Sequence, residues 1–128
     1  MKLLLDTHVL LWAALQPKRL PKKARDLIEA PANSLFFSAA SIWEAGIKSA
    51  LGRPDFVVDV RQWRLGLLEN DYEELPVNSL HAVTVISLPP VHRDPFDRIL
   101  LAQAMTEDMT LVTADDMLAE YSGPILKV

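Results

Sequence analysis

Short apolar runs that fit buried strands alternate with segments of helical periodicity, and this alternation constrains the fold more than any other feature. Strands are expected at residues 2–5, 35–37, 72–77, 110–113 and 124–128. Lys2-Leu3-Leu4-Leu5 is apolar at successive positions, as a strand covered on both faces must be. Glu73 and Glu74 make the third run a poor central strand. Helices are expected at residues 9–15, 21–30, 39–51, 57–70, 79–85, 94–108 and 115–121. Pro17, Pro31 and Pro89-Pro90 end three of them, and Gly52 suits the residue just past the third. In that third helix Ala39, Ile42, Trp43, Gly46, Ile47, Ala50 and Leu51 form the expected core stripe, with Glu44 and Lys48 beside it. Trp12 and Trp43 are expected in the core, and Trp63 on a partner-facing surface. The expected class is α/β, with a parallel sheet of about five strands in one domain spanning residues 1–128.

Composition narrows the function. The 128 residues are 50% hydrophobic and 23% charged, which fits a chain that builds a packed core. The absence of cysteine excludes disulfides, thiolate zinc sites and cysteine nucleophiles. No apolar run approaches the roughly 18 residues of a membrane span, so a cytoplasmic protein without a membrane partner is expected. Thirteen basic against seventeen acidic residues give a net charge of −4. A protein that binds nucleic acid mainly by neutralising phosphates is usually basic, so charge alone argues against that partner.

The position of the acids changes that argument. In an open parallel sheet, ligands bind beyond the carboxyl ends of the strands, near the point where strand order reverses. Asp6 follows the first strand, Asp115 follows the 110–113 strand, Glu44 lies early in the third helix and Asp97 in the first turn of the 94–108 helix. Each also has an ordinary reading. Asp6 and Asp115 suit helix N-caps, worth about 1 kcal/mol each. Ser41 to Glu44 matches a capping box, and Asp94-Pro95 matches a cap followed by a first-turn proline. Against the ordinary reading of Asp97 stand Leu101 and Ala104, which share its helix face and bury it. Carboxylates within about 5 Å repel by roughly 3 kcal/mol per pair at an effective dielectric near 20, so a cluster requires protons or a cation. Hard divalent ions such as magnesium or manganese accept several carboxylate oxygens and then hold a phosphate.

Four segments in order resemble the successive motifs of PIN-domain nucleases: Asp6-Thr7-His8-Val9-Leu10-Leu11-Trp12, Ser38-Ala-Ala-Ser-Ile-Trp-Glu44, Asp94-Pro-Phe-Asp-Arg-Ile-Leu-Leu-Ala-Gln-Ala104 and Leu111-Val-Thr-Ala-Asp115. The chain resembles, more narrowly, the VapC toxins of bacterial toxin–antitoxin pairs. The resemblance implies a three-layer αβα fold and a magnesium- or manganese-dependent endoribonuclease leaving 5′-phosphate and 3′-hydroxyl ends. It also implies a homodimer or toxin–antitoxin hetero-oligomer, with a small antitoxin protein that blocks the metal site. The family's acids fall on Asp6, Glu44, Asp97 and Asp115, as catalytic and metal-holding residues. Asp116 competes with Asp115 for the fourth place. Thr7, Asp94, Thr113 and Lys48 are the expected supporting or substrate-side residues.

Other residues carry weaker signals. Lys18, Arg19, Lys22, Lys23 and Arg25 form either an RNA-tracking patch or a solvated face. Arg98 is expected to pair with an acid or meet a phosphate, His92 lies where it can approach RNA, His8 can line the site, and His81 has no evident role. Two competing readings stand beside the nuclease. One is a non-catalytic PIN-like module that pairs with a small regulatory protein. The other is a phosphotransferase with Asp6 as nucleophile, although His8 occupies the position where such enzymes carry a second aspartate.

Overall fold

The computed structural model describes residues 1–54 and 56–128. Its strands are β1 (Lys2–Leu5), β2 (Ser34–Ser38), β3 (Glu73–Leu75), β4 (Thr110–Thr113) and β5 (Ile125–Lys127). All pair in parallel, in the order β3-β2-β1-β4-β5. The acidic β3 sits at the edge, where one face of the pairing is spared. The chain steps outward from β1 to β3, then returns to the other side of β1 for β4 and β5. Strand order therefore reverses between β1 and β4, and in open parallel sheets ligands bind beyond the carboxyl ends of strands at such a point.

Six helices cover the sheet: α1 (Thr7–Leu15), α2 (Lys22–Glu29), α3 (Ala39–Ala50), α4 (Val60–Glu69), α5 (Ser79–Ser87) and α6 (Pro95–Thr106). Strand alternation divides the core between the two faces. Leu3 and Leu5 pack with Val9, Leu10, Ala24, Trp63 and Leu67, while Leu4 packs on the opposite face with Leu100, Leu101, Leu111 and Leu118. Each fully buried leucine contributes roughly 1.5–3 kcal/mol relative to exposure. The result is the expected three-layer α/β architecture. Among the described residues, no helix is long and apolar enough to cross a membrane.

Local signals set several boundaries. Asn78 caps α5, and Gly52, just beyond α3, has a φ of 73° that disfavours a side chain. Asp59 caps α4 by accepting from the Arg61 and Gln62 amides, so that helix starts at Val60 and not at Val57. The helix expected at residues 115–121 is reduced to a 3-10 turn at Leu118–Glu120. Gly123 and Pro124 follow closely and turn the chain into β5.

The core face of α3 differs from the expected stripe. Trp43 is 67% exposed, and Ile47 and Leu51 are exposed as well. The buried side carries Ala40, Ser41, Glu44 and Ala45, small residues that admit close helix approach, together with one acid. Trp43 instead lies edge-on to Phe96 across α6, with ring centroids 5.5 Å apart. Trp63 is 6% exposed and belongs to the core, not to a partner-facing surface. Trp12 packs half-buried against the same cluster.

Candidate metal centre

Asp6 leaves β1 at the reversal point and starts α1. Its Oδ1 accepts the Val9 amide at 2.9 Å, and its Oδ2 accepts the Thr113 hydroxyl from the end of β4. The Thr113 oxygen in turn accepts the Asp115 amide at 3.0 Å. The cap reading of Asp6 therefore holds, while its second oxygen is engaged by Thr113 of β4. Burial raises its pKa above the ordinary carboxylate value, against the opposing hydrogen bonds from Thr113 and Val9.

Glu44 comes from α3 and is buried. It closes no capping box, because Ser38 caps this helix by accepting the Ala40 amide. Ser41 instead accepts the Thr7 hydroxyl at 2.9 Å, tying the start of α1 to α3 beside the acids. Lys48, one turn on, meets Glu44 Oε2 at 2.6 Å and is itself part-buried. This i,i+4 pair thus lies half inside the fold, with the acid buried and the lysine part-exposed. The other oxygen, Glu44 Oε1, is buried without a hydrogen-bond partner.

Asp97 tops α6, whose buried run Leu100 to Ala104 lies below it. Asp94 caps this helix by accepting the Phe96 and Asp97 amides, as its place before Pro95 suggests. The Asp97 carboxyl is pushed up to about 7, first by burial and then by the charges of Asp94, Asp6 and Glu44. Acids from three separate elements thus act on the Asp97 carboxyl. Asp115 has the opposite character. Burial raises it, but the Leu118 amide, His92 and the Met117 amide hold it below the ordinary value. Asp116 points elsewhere: its side chain is 93% exposed and pairs with Lys127 at 3.0 Å.

His92 is the residue whose place in this cluster the sequence reading missed. Its Nε2 lies 3.1 Å from Asp97 Oδ2 and 3.3 Å from Asp115 Oδ2. Its spacing of two residues before the Asp94 cap was the available signal. Arg98 pairs with no acid in the hydrogen bonds it makes here. It donates to the carbonyls of Val85, Leu88 and His92, fastening the preceding loop to α6. His81 is buried, completes the α5 cap through its Nδ1, and meets Glu107 through Nε2. His8 is exposed and tilted against Trp12. In the basic patch, Arg19 covers the Trp12 ring, Lys22 faces Asp26 and Lys23 reaches the Lys127 carbonyl, contacts that belong to a solvated face.

Comparison with known proteins agrees with this geometry. The PIN domain family model matches residues 3–124. Ribonuclease VapC22 of Mycobacterium tuberculosis is 31% identical over 122 residues, covering 94% of this chain and 92% of that protein. The fold matches the Rickettsia felis VapBC2 complex bound to a promoter DNA fragment, with a TM-score of 0.74 and 15% identity over 99% of this chain and 98% of that one. It also matches a VapBC-5 complex from Mycobacterium tuberculosis, with a TM-score of 0.58 and 24% identity over 99% and 98% of the two chains. A toxin–antitoxin complex from Klebsiella pneumoniae follows at a TM-score of 0.65 and 17% identity, over 97% and 95%. From its family match and its relative, this chain belongs to the PIN-domain family.

Proposed function

We propose that this chain is a divalent-metal-dependent endoribonuclease and the toxin of a toxin–antitoxin pair, acting in the cytoplasm as one nuclease unit over residues 1–128. The observation that carries the reading is a buried Glu44 Oε1 that no protein group satisfies, in a set of acids close enough for Asp94, Asp6 and Glu44 to raise Asp97. A buried carboxylate oxygen without a donor fits a hard cation, as does a donor set made of carboxylates from four separate elements. The relation to a curated ribonuclease supports RNA as the substrate, and relatives solved as toxin–antitoxin complexes support a small antitoxin as partner.

Asp6, Glu44 and Asp97 would hold magnesium or manganese, with Asp115 as the fourth acid in preference to the outward-pointing Asp116. When bound, the ion supplies polarisation of the scissile phosphate and activation of a water for in-line attack, giving 5′-phosphate and 3′-hydroxyl ends. The protein's own groups prepare that chemistry. Thr113 and the Val9 amide fix the Asp6 carboxylate, Lys48 balances one Glu44 oxygen, and the Asp94 cap orients the first turn that carries Asp97. Thr7 holds α1 against α3 through Ser41. No histidine base is needed in this scheme. The exposed Leu80, Val83 and Ile86 on α5 support a further partner surface, such as a second copy.

Cleavage of RNA by the purified chain tests the reading. Products with 5′-phosphate ends are expected with Mg2+, none with chelator, and none from folded Asp6→Asn or Asp97→Asn protein. Cleavage that persists with chelator and in both variants overturns it.

A further inference from the structure

His92, Asp97 and Asp115 each offer a ligand atom within 4.8 Å of the others, a spacing that suits a metal site. The hydrogen bonds around the ring argue against that assignment. His92 Nδ1 accepts the Asp94 amide at 3.1 Å, so its lone pair is already engaged. The loop that presents the ring is held on both sides of the residue. The His92 amide donates to the Tyr121 hydroxyl at 2.9 Å, and its carbonyl accepts from Arg98. A neutral imidazole with an accepting Nδ1 carries its proton on Nε2. That N–H donates to Asp115 Oδ2 at 3.3 Å, and Asp97 Oδ2 lies 3.1 Å from the same nitrogen, off the line of a hydrogen bond.

We propose that His92 competes with the divalent ion: its Nε2–H donates to Asp115 and lies against Asp97, making it a positioning residue and not a metal ligand. The inference rests on the metal-dependent reading above for the presence of the ion. To ligate a metal through Nε2, the imidazole must move its proton to Nδ1. There the proton would meet the Asp94 amide head-on, in a loop fastened by Tyr121 and Arg98. Left in place, the Nε2–H presents its positive end to the oxygens that a cation would use. Ion binding at these oxygens therefore works against the His92 contact, and that contact stabilises the metal-free form. Apart from Glu44 Oε1, the four site acids thus have internal neighbours: Thr113 for Asp6, Lys48 for Glu44, and His92 bonded to Asp115 and beside Asp97.

Two measurements on the intact chain test this. Long-range 1H–15N NMR of the metal-free protein, with His92 assigned by loss of its signals in His92→Gln, is expected to show the Nε2–H neutral tautomer. An Nδ1–H tautomer overturns the proposal. Mn2+ titration by calorimetry is expected to show several-fold tighter binding to His92→Ala, together with a lower Tm for its metal-free form. His92→Gln, which retains an N–H donor at similar reach, is expected to stay near the wild type. Weaker or unchanged Mn2+ affinity in His92→Ala overturns the competition, and a clear loss of affinity identifies His92 as a ligand. Failure of the wild type to bind millimolar Mn2+ overturns the metal reading and the competition together, and the tautomer result still stands separately.

Discussion

The Thr113 hydroxyl at the end of β4 donates to Asp6 Oδ2 at the end of β1, bridging the two strands between which the sheet order reverses. The same oxygen accepts the Asp115 amide, so one side chain sets the geometry of two acids. Thr113→Val keeps the shape and removes both roles. It is expected to cost about 1–3 kcal/mol in urea denaturation, because it leaves a buried Asp6 oxygen without its donor. It should also lower Mg2+ affinity, measured on the same protein by calorimetry.

Asp97 confers a pH dependence of defined sign. Its folded value of about 7 lies above that of an ordinary carboxyl. Between those values the folded protein keeps a proton that the unfolded chain has lost, so stability falls as pH rises toward 7. Asp6, also raised by burial, acts in the same direction. Asp115 acts oppositely, since its lowered value adds stability above the ordinary carboxylate range that is lost on acidification. The metal-free protein should therefore melt at a higher temperature near pH 5.5 than near pH 8, and Asp97→Asn should flatten that slope. Mg2+ affinity should rise through the same interval, because the ion displaces the proton.

Glu44 and Lys48 form a pair of unequal burial, with the acid nearly inaccessible and the lysine part-exposed. Lys48→Ala is expected to destabilise the metal-free chain by about 1–3 kcal/mol, since it strands a buried carboxylate. Adding Glu44→Gln in the same chain should recover much of that loss. Thermal melts of the single and double variants make the comparison.

Arg98 reaches three carbonyls with one planar fork, fastening residues 88–92 to α6. Arg98→Lys cannot reproduce that geometry and should lower stability by about 1–3 kcal/mol. Hydrogen exchange should quicken in this loop before it does in β1 or β4.

The two tryptophans with inverted expectations give a contrast. Trp63→Ala should cost about 3–5 kcal/mol as a core truncation, whereas the largely exposed Trp43→Ala should cost well under that. Denaturant midpoints of both variants decide the point.

What was legible in the sequence depended on local chemistry. The apolar run at Leu3 to Leu5, the proline after Asp94 and the glycine after α3 act within a few residues, and the structure agrees with each. The acids were legible because strand ends and helix starts share one edge of a parallel sheet. The buried face of α3 was not, because hydrophobic periodicity favours Trp43 and Ile47, while close packing favours Ala40, Ser41 and Ala45. Periodicity also cannot register that Glu44 belongs inside, since its burial depends on acids distant in sequence. His92 was hidden for a similar reason. Its position requires Tyr121, Arg98 and Asp115, residues apart in sequence that meet only in the folded chain.

Asp6 after β1, Glu44 in α3 and Asp97 in α6 are the acids proposed to form a divalent-ion site. Crystals soaked in MnCl2, with anomalous scattering recorded near the manganese edge, test it most directly. A peak is expected within coordination distance of carboxylate oxygens of Asp6, Glu44 and Asp97, with His92 Nε2 outside the ligand set. Absence of a peak among these acids, in protein that still cleaves RNA, would contradict it.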